Sequence, residues 1–190
     1  MQKQIKILLT LLTVLILAIS CANNNPNDPN NNNNNNNNNQ TVKPAWKQNV
    51  NYSLLIKDWY NERQPELKEV YQIRENGNDK VDFIVPDPSG NVSYSIVVTE
   101  IVWNSDNKSG IMYGTYSVAP SWTSDALNKW YAILFSDLTE NTLYISQAYV
   151  TPSADAPKGN YTETLEKAKE VFTEANDAFT LGTYLVPQTK

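Results

Sequence analysis

Hydrophobic and polar positions fall into four different rhythms along this chain. Residues 7–19 (ILLTLLTVLILAI) form an uncharged apolar run, preceded by Lys3 and Lys6. A membrane-spanning helix needs about 20 apolar residues, so this shorter run with a basic start reads as a secretory signal over 1–20. Residues 23–40 contain no apolar residue, and fourteen of the 26 asparagines lie there. Such a stretch has no surface to bury against the entropy of ordering. It reads as a tether, roughly 25 Å long as a flexible coil and about 70 Å when fully stretched.

Beyond residue 41 lie all twenty aromatic residues, and from 44 to 190 the pattern is that of one β-rich domain. A domain of about 150 residues buries roughly 70% of its unfolded surface and folds without disulfides. Residues 69–73 (EVYQI) are a β-type run ending at Asn76-Gly77, a hairpin signal. Residues 80–85 alternate, with Val81, Phe83 and Val85 on one side, and stop at Pro86-Asp87-Pro88. Residues 94–103 (YSIVVTEIVW) make the strongest strand pattern, and NSDNKSG turns it back into 111–118. A polar loop over 119–129 precedes a hairpin of 130–135 (WYAILF) and 143–150 (LYISQAYV).

Strands in succession with short turns predict an antiparallel meander of six to eight strands, its closure into a barrel left open. Two segments are less definite. Tyr52, Leu54 and Ile56 alternate, which fits either a further strand or a short helix before Trp59, and residues 179–186 fit a last edge strand ended by Pro187. The period changes over 162–176, where Leu165, Ala168, Phe172 and Ala175 share one helical face. Thr164 is the expected N-cap, with Glu166 in the first turn. So narrow a stripe predicts a C-terminal helix lying against the sheet.

Composition removes several function classes. The chain has no histidine, one cysteine, 15 Lys+Arg and 20 Asp+Glu, for a formal net charge of −5. Without histidine it lacks the side chain most used for proton transfer near neutral pH and the commonest metal ligand. One cysteine excludes an intrachain disulfide and a multi-cysteine zinc site. The acidic balance argues against a nucleic-acid partner. No cofactor and no metal is expected, and the protein reads as a non-enzyme.

The cysteine itself is placed informatively. Leu17-Ala18-Ile19-Ser20-Cys21 sets it directly after a small residue at the end of the apolar run. This resembles the lipobox of bacterial lipoproteins, whose cysteine is lipidated through its thiol and becomes the mature N-terminus. Ala18 stands where the common lipobox has a Leu-like residue, a looser form typical of spirochaetes. The organisation expected is signal 1–20, lipidated Cys21 with tether 21–43, and domain 44–190.

Three further segments, TEIVWNSDNKSGIMYGTY (99–116), KWYAILFSDLTENTLYISQAYV (129–150) and TLEKAKEVFTEAN (164–176), carry a wider likeness. Together with the lipobox and tether they resemble Treponema-type spirochaete lipoproteins, some of them described as lipocalin-like. That resemblance implies a binding domain on a lipid anchor and brings no catalytic residues with it. True lipocalins open with Gly-X-Trp near the first strand, and Trp59 has no such glycine.

Aromatic-lined concavities suit apolar or sugar ligands, which singles out Trp103, Tyr113, Trp130, Tyr131, Tyr144 and Tyr149 on neighbouring strands and Trp122 in the polar loop, with Trp103, Tyr113, Trp130, Tyr144 and Trp122 as the ligand candidates. The same residues serve equally well as core. Glu100 sits in the apolar strand, by alternation on the same face as Ile96, Val98 and Val102; buried, it would be a ligand anchor with a raised pKa, and facing solvent an ordinary ion-paired glutamate. Asp137 and Glu140 share a turn, as do ordinary turn residues. NSDNK at 104–108 has calcium-loop spacing, but Lys108 stands at a ligand position and no bidentate Glu follows.

The expected protein is a lipid-anchored envelope lipoprotein, on the periplasmic or extracellular face, with a non-enzymatic binding domain. Its partners would be the membrane, through the lipid, and either a small apolar ligand in a lipocalin-like cavity or a macromolecule at its surface. The alternative is a structural or host-contact lipoprotein without a pocket.

Overall fold

The computed structural model describes residues 43–188. Cys21, the apolar run and the Asn-rich stretch lie outside the described residues. Eight antiparallel strands follow one another as nearest neighbours and close into a barrel. They are β1 (Asp58–Tyr60), β2 (Val70–Asn76), β3 (Lys80–Pro86), β4 (Val92–Trp103), β5 (Gly110–Val118), β6 (Trp130–Ser136), β7 (Leu143–Gln147) and β8 (Gly182–Pro187). The expected mainly β meander with one C-terminal helix is therefore present, and it is closed.

Closure corrects the expectation of an edge strand near the C-terminus. β8 pairs with β7 through Leu143↔Leu185 and with β1 through Tyr60↔Val186, so neither of its sides is free. Full closure is the one arrangement that removes sheet edges altogether. The segment before Trp59 is a one-turn helix, α1 (Tyr52–Leu55), with Tyr52 and Leu55 buried.

Alternation along each strand sends one face inward, and large side chains fill that space. Trp59, Phe83, Phe135, Ile96, Met112 and Ile133 are all less than 2% exposed. Fully burying such a side chain contributes about 1.5–3 kcal/mol, so the interior is the hydrophobic core of the domain. Gly114 is needed at its inward position on β5, because a Cβ there would stand 2.3 Å from the Val97 carbonyl oxygen.

One end of the barrel is shut by the segment that leads into it. A 3-10 turn, Ala45–Gln48, and α1 lie across the end formed by the β2–β3, β4–β5 and β6–β7 hairpins. The Trp103 indole donates to the Trp46 carbonyl at 2.9 Å, and the Trp59 indole donates to Leu55 at 3.1 Å. Lys47 is buried, and its ammonium donates to Glu75 Oε2 (2.5 Å), the Lys80 carbonyl (2.7 Å) and the Gly77 carbonyl (3.1 Å). Three acceptors from one hairpin bolt this segment to the barrel.

The second helix, α2 (Leu165–Val171), packs on the outside of β5 and β6. Thr164 caps it as expected, its side chain accepting from the Lys167 N–H. The helix is shorter than the 162–176 pattern predicted. Phe172 leaves helical geometry, and Thr173 caps a separate turn, Glu174–Asn176, by accepting from Asn176 N–H, which leaves Ala175 exposed. Ala168 on α2 and Ala132 on β6 are both fully buried, small enough to let helix and sheet approach.

A candidate binding site at the open end of the barrel

The six side chains expected as ligand contacts do not converge. A β-bulge in β4 decides where Glu100 goes: the register with β5 steps between Val98 and Glu100, so the inward face passes from Ile96 and Val98 to Ile101. One extra residue inverts alternation beyond it. Glu100 and Val102 consequently face outward, contrary to a shared face with Ile96 and Val98, and Glu100 accepts from Lys169 Nζ on α2 at 2.7 Å. It is the ion-paired glutamate of the plainer reading.

Tyr113 also faces out, beneath α2, where its hydroxyl donates to the Phe172 carbonyl at 3.2 Å. Burial, with Glu100 nearby, pushes its pKa up to about 12. Trp130 is half-buried and pairs through its backbone with Thr162, while Tyr144 lies on the outer surface against Tyr184 at 5.0 Å. Trp103 stands at the shut end, edge-on to Phe135 at 4.9 Å. Glu100 and Trp103 do share one shallow outer groove of about 680 Å³, walled by Trp46 and Val102. Trp122 stands at the open end, 68% exposed and edge-on to Tyr94 at 6.2 Å, and Trp130 begins β6 at that same end.

The two acidic turns are structural. Asp106 accepts from the backbone N–H groups of Lys108 and Ser109 and from the Ser109 hydroxyl, bonds that hold its carboxyl below the usual range. Asp137 accepts from the Tyr184 hydroxyl at 3.1 Å. The Glu140 backbone carbonyl accepts from Lys57 Nζ.

The open end gathers a different set of residues. Tyr71, Tyr94, Tyr116 and Tyr131 sit on inward positions within two or three residues of a strand end, all at this mouth. Their rings join the core, with Tyr116 and Tyr131 at 4.9 Å and Tyr94 and Tyr116 at 6.4 Å. Tyrosine suits such a level because its ring is apolar and its tip needs a partner. Tyr71 donates to Glu69 and lies within hydrogen-bonding reach of Gln147. Tyr116 directs its hydroxyl to Tyr131. The Tyr94 hydroxyl is buried without a hydrogen-bond partner among the described residues. Burial raises the pKa of all four phenols, and Glu69 adds to the effect at Tyr71.

Beside this cluster a cleft of about 390 Å³ opens between the β1–β2 connection and the start of β8. Tyr71, Ile145 and Gln147 form its floor, with Asn61, Arg63, Glu69 and Thr183 around it. The connection is self-supporting: Asn61 N–H donates to the Glu69 carbonyl at 3.1 Å, and its buried side chain donates to Glu69 Oε2 at 2.8 Å. The site can offer hydrogen bonds and both signs of charge to a small polar molecule.

Of the four mouth tyrosines, sequence reasoning singles out Tyr131 and passes over Tyr71, Tyr94 and Tyr116, although the signal is present. In a meander the first positions of β2, β4 and β6 and the last of β5 meet at one end, and each carries an inward tyrosine. No protein-family model, no curated protein and no solved structure matches the chain.

Proposed function

We propose that this protein is a lipid-anchored cell-envelope lipoprotein, held through Cys21, whose barrel binds a small polar molecule at its mouth without catalysing a reaction. The observation that carries the binding half is the contrast between a filled interior and a polar mouth. Trp59, Phe83 and Phe135 occupy the space in which an apolar ligand would sit, whereas Tyr71, Gln147 and Thr183 line an accessible cleft. Ligand sites combine a preformed concavity with a few convergent polar groups, and the mouth has both. The anchor half rests on the lipobox-like sequence and the tether, and agrees with the likeness to spirochaete lipoproteins.

Amide chemical-shift mapping during a screen of small polar fragments, on the full chain in detergent, tests the binding half. Shifts clustered on Tyr71, Gln147 and Thr183 are the expected result. Shifts confined to the outer grooves, or saturable uptake of a fluorescent fatty acid into the barrel, refute it. For the anchor, radiolabelled palmitate is expected to enter the protein and to be lost with Cys21→Ala.

A second reading, contact with a macromolecule, draws on a separate observation. Leu67, Trp122, Leu127, Tyr149 and Leu181 are all exposed on connections at the open end. Exposed apolar residues gathered at one place mark interaction surfaces. Protease treatment of intact cells distinguishes an outward-facing domain from a periplasmic one.

A further inference from the structure

Two opposite charges line the mouth cleft, and neither is neutralised by an ion pair. Glu69 accepts hydrogen bonds from Asn61 and Tyr71, both uncharged, and enters no salt bridge among the described residues. Arg63 enters none either, and its guanidinium lies over the Tyr184 ring at 4.8 Å. A stacked guanidinium is held in orientation with its N–H fork still available. A carboxylate has room for about four hydrogen bonds, and among the described residues the Glu69 carboxylate accepts two.

One buried side chain sets the positions of both groups. Asn61, 2% exposed, donates through Nδ2 to Glu69 Oε2 at 2.8 Å and accepts at Oδ1 from the Arg63 backbone N–H at 3.2 Å. The two charges line one cleft without forming an ion pair, and Tyr71, Gln147 and the apolar Ile145 and Leu181 line it with them. A ligand of single charge would answer one group and leave the other. A neutral sugar would answer neither charge.

We infer that the mouth cleft takes a small zwitterion, an unblocked α-amino acid or dipeptide, with its ammonium on Glu69 and its carboxylate on Arg63. The ligand's side chains lie against Ile145 and Leu181, and the amide of a dipeptide bonds to Gln147 or Thr183. This rests on the mouth-binding reading and adds the ligand class. Charge-assisted hydrogen bonds contribute most of the affinity, so blocking either ligand terminus weakens binding by roughly tenfold or more.

The test is calorimetric titration of the full chain in detergent with four probes: alanyl-alanine, its N-acetyl form, its amide, and maltose. Saturable binding of alanyl-alanine is expected, with each blocked form at least tenfold weaker. Glu69→Gln keeps hydrogen-bonding atoms for Tyr71 and Asn61; it is expected to weaken the free dipeptide and to abolish discrimination against the N-acetyl form. Arg63→Gln is expected to do the same for the amide. If either variant melts early by circular dichroism, the blocked-probe comparison on the unaltered protein still decides.

Equal binding of free and blocked dipeptides overturns the inference, as does no alanyl-alanine binding up to roughly 10 mM, an affinity too weak for a specific site. Maltose binding that Tyr71→Phe abolishes, without dipeptide binding, removes the zwitterion and leaves the mouth reading intact. Fragment mapping with no shifts at the mouth removes both.

Discussion

Replacing Lys47 by methionine is expected to loosen the shut end of the barrel and to cost about 3 kcal/mol. The side chain is 1% exposed, while its partner Glu75 is 47% exposed. A half-exposed carboxylate is well screened, so the ion pair itself contributes no more than about 1 kcal/mol. The larger loss comes from the Lys80 and Gly77 carbonyls, which accept from Nζ at 2.7 and 3.1 Å. Hydrogen bonds from a charged donor contribute about 1.5–3 kcal/mol. Methionine preserves most of the packing against Trp46 and Tyr52, whose rings lie 5.3 and 5.8 Å from Nζ. For a domain of this size, 3 kcal/mol corresponds to a fall in Tm of roughly 6–12 °C. Glu75→Gln, which leaves both carbonyl bonds in place, is expected to cost about 1 kcal/mol or less. Urea unfolding followed by circular dichroism measures both variants. Hydrogen exchange on residues 45–55 and on the β2–β3 hairpin locates the loss. A Lys47→Met variant within 1 kcal/mol of the parent, or a Glu75→Gln variant equally damaged, refutes the reasoning.

Alkaline stability follows from the mouth phenols. Tyr71, Tyr94, Tyr116 and Tyr131 have folded pKa values raised by burial above the ordinary value of 10.0. The unfolded chain therefore releases these protons first, and stability that is whole below about pH 10 declines as pH rises further. Absorbance at 295 nm should show these tyrosines ionising only with the loss of ellipticity; normal titration in the folded protein contradicts this. Gly114→Ala sets a Cβ against the Val97 backbone and is expected to cost about 3 kcal/mol, so an unchanged urea midpoint disproves the clash. Glu100→Gln breaks a partly exposed pair with Lys169 and should change stability by less than about 1 kcal/mol. It should also leave the dipeptide titration untouched, and a loss of affinity would return Glu100 to the site.

Much of the sheet was readable because alternation with period two reports which face is buried, as at Val81, Phe83 and Val85. Closure was not. It depends on β1, three residues long, and such a segment carries too few positions to show a period. Alternation places Glu100 on the wrong face, with Ile96 and Val98, for a local reason, since a bulge inserts a residue without altering composition; the ion-paired reading of its side chain holds. The site was missed for a third reason. Aromatic residues were weighed by size and strand membership, whereas their level along the barrel axis separates Tyr71 and Tyr94 from Tyr113 and Tyr144.

The seam between β1 and β8 has a consequence for the order of assembly. It unites the first and last strands through two residue pairs, Trp59↔Pro187 and Tyr60↔Val186. Every other strand pairing joins neighbours along the chain, so the meander can grow by successive hairpins while it is being synthesised. The ring cannot be completed until β8 has emerged, and until then Trp59 and Leu185 lack their final cover. Pairings between distant parts of a chain form slowly because loop-closure entropy must be overcome first. Late completion makes the pairing of β1 with β8 the step that seals the barrel.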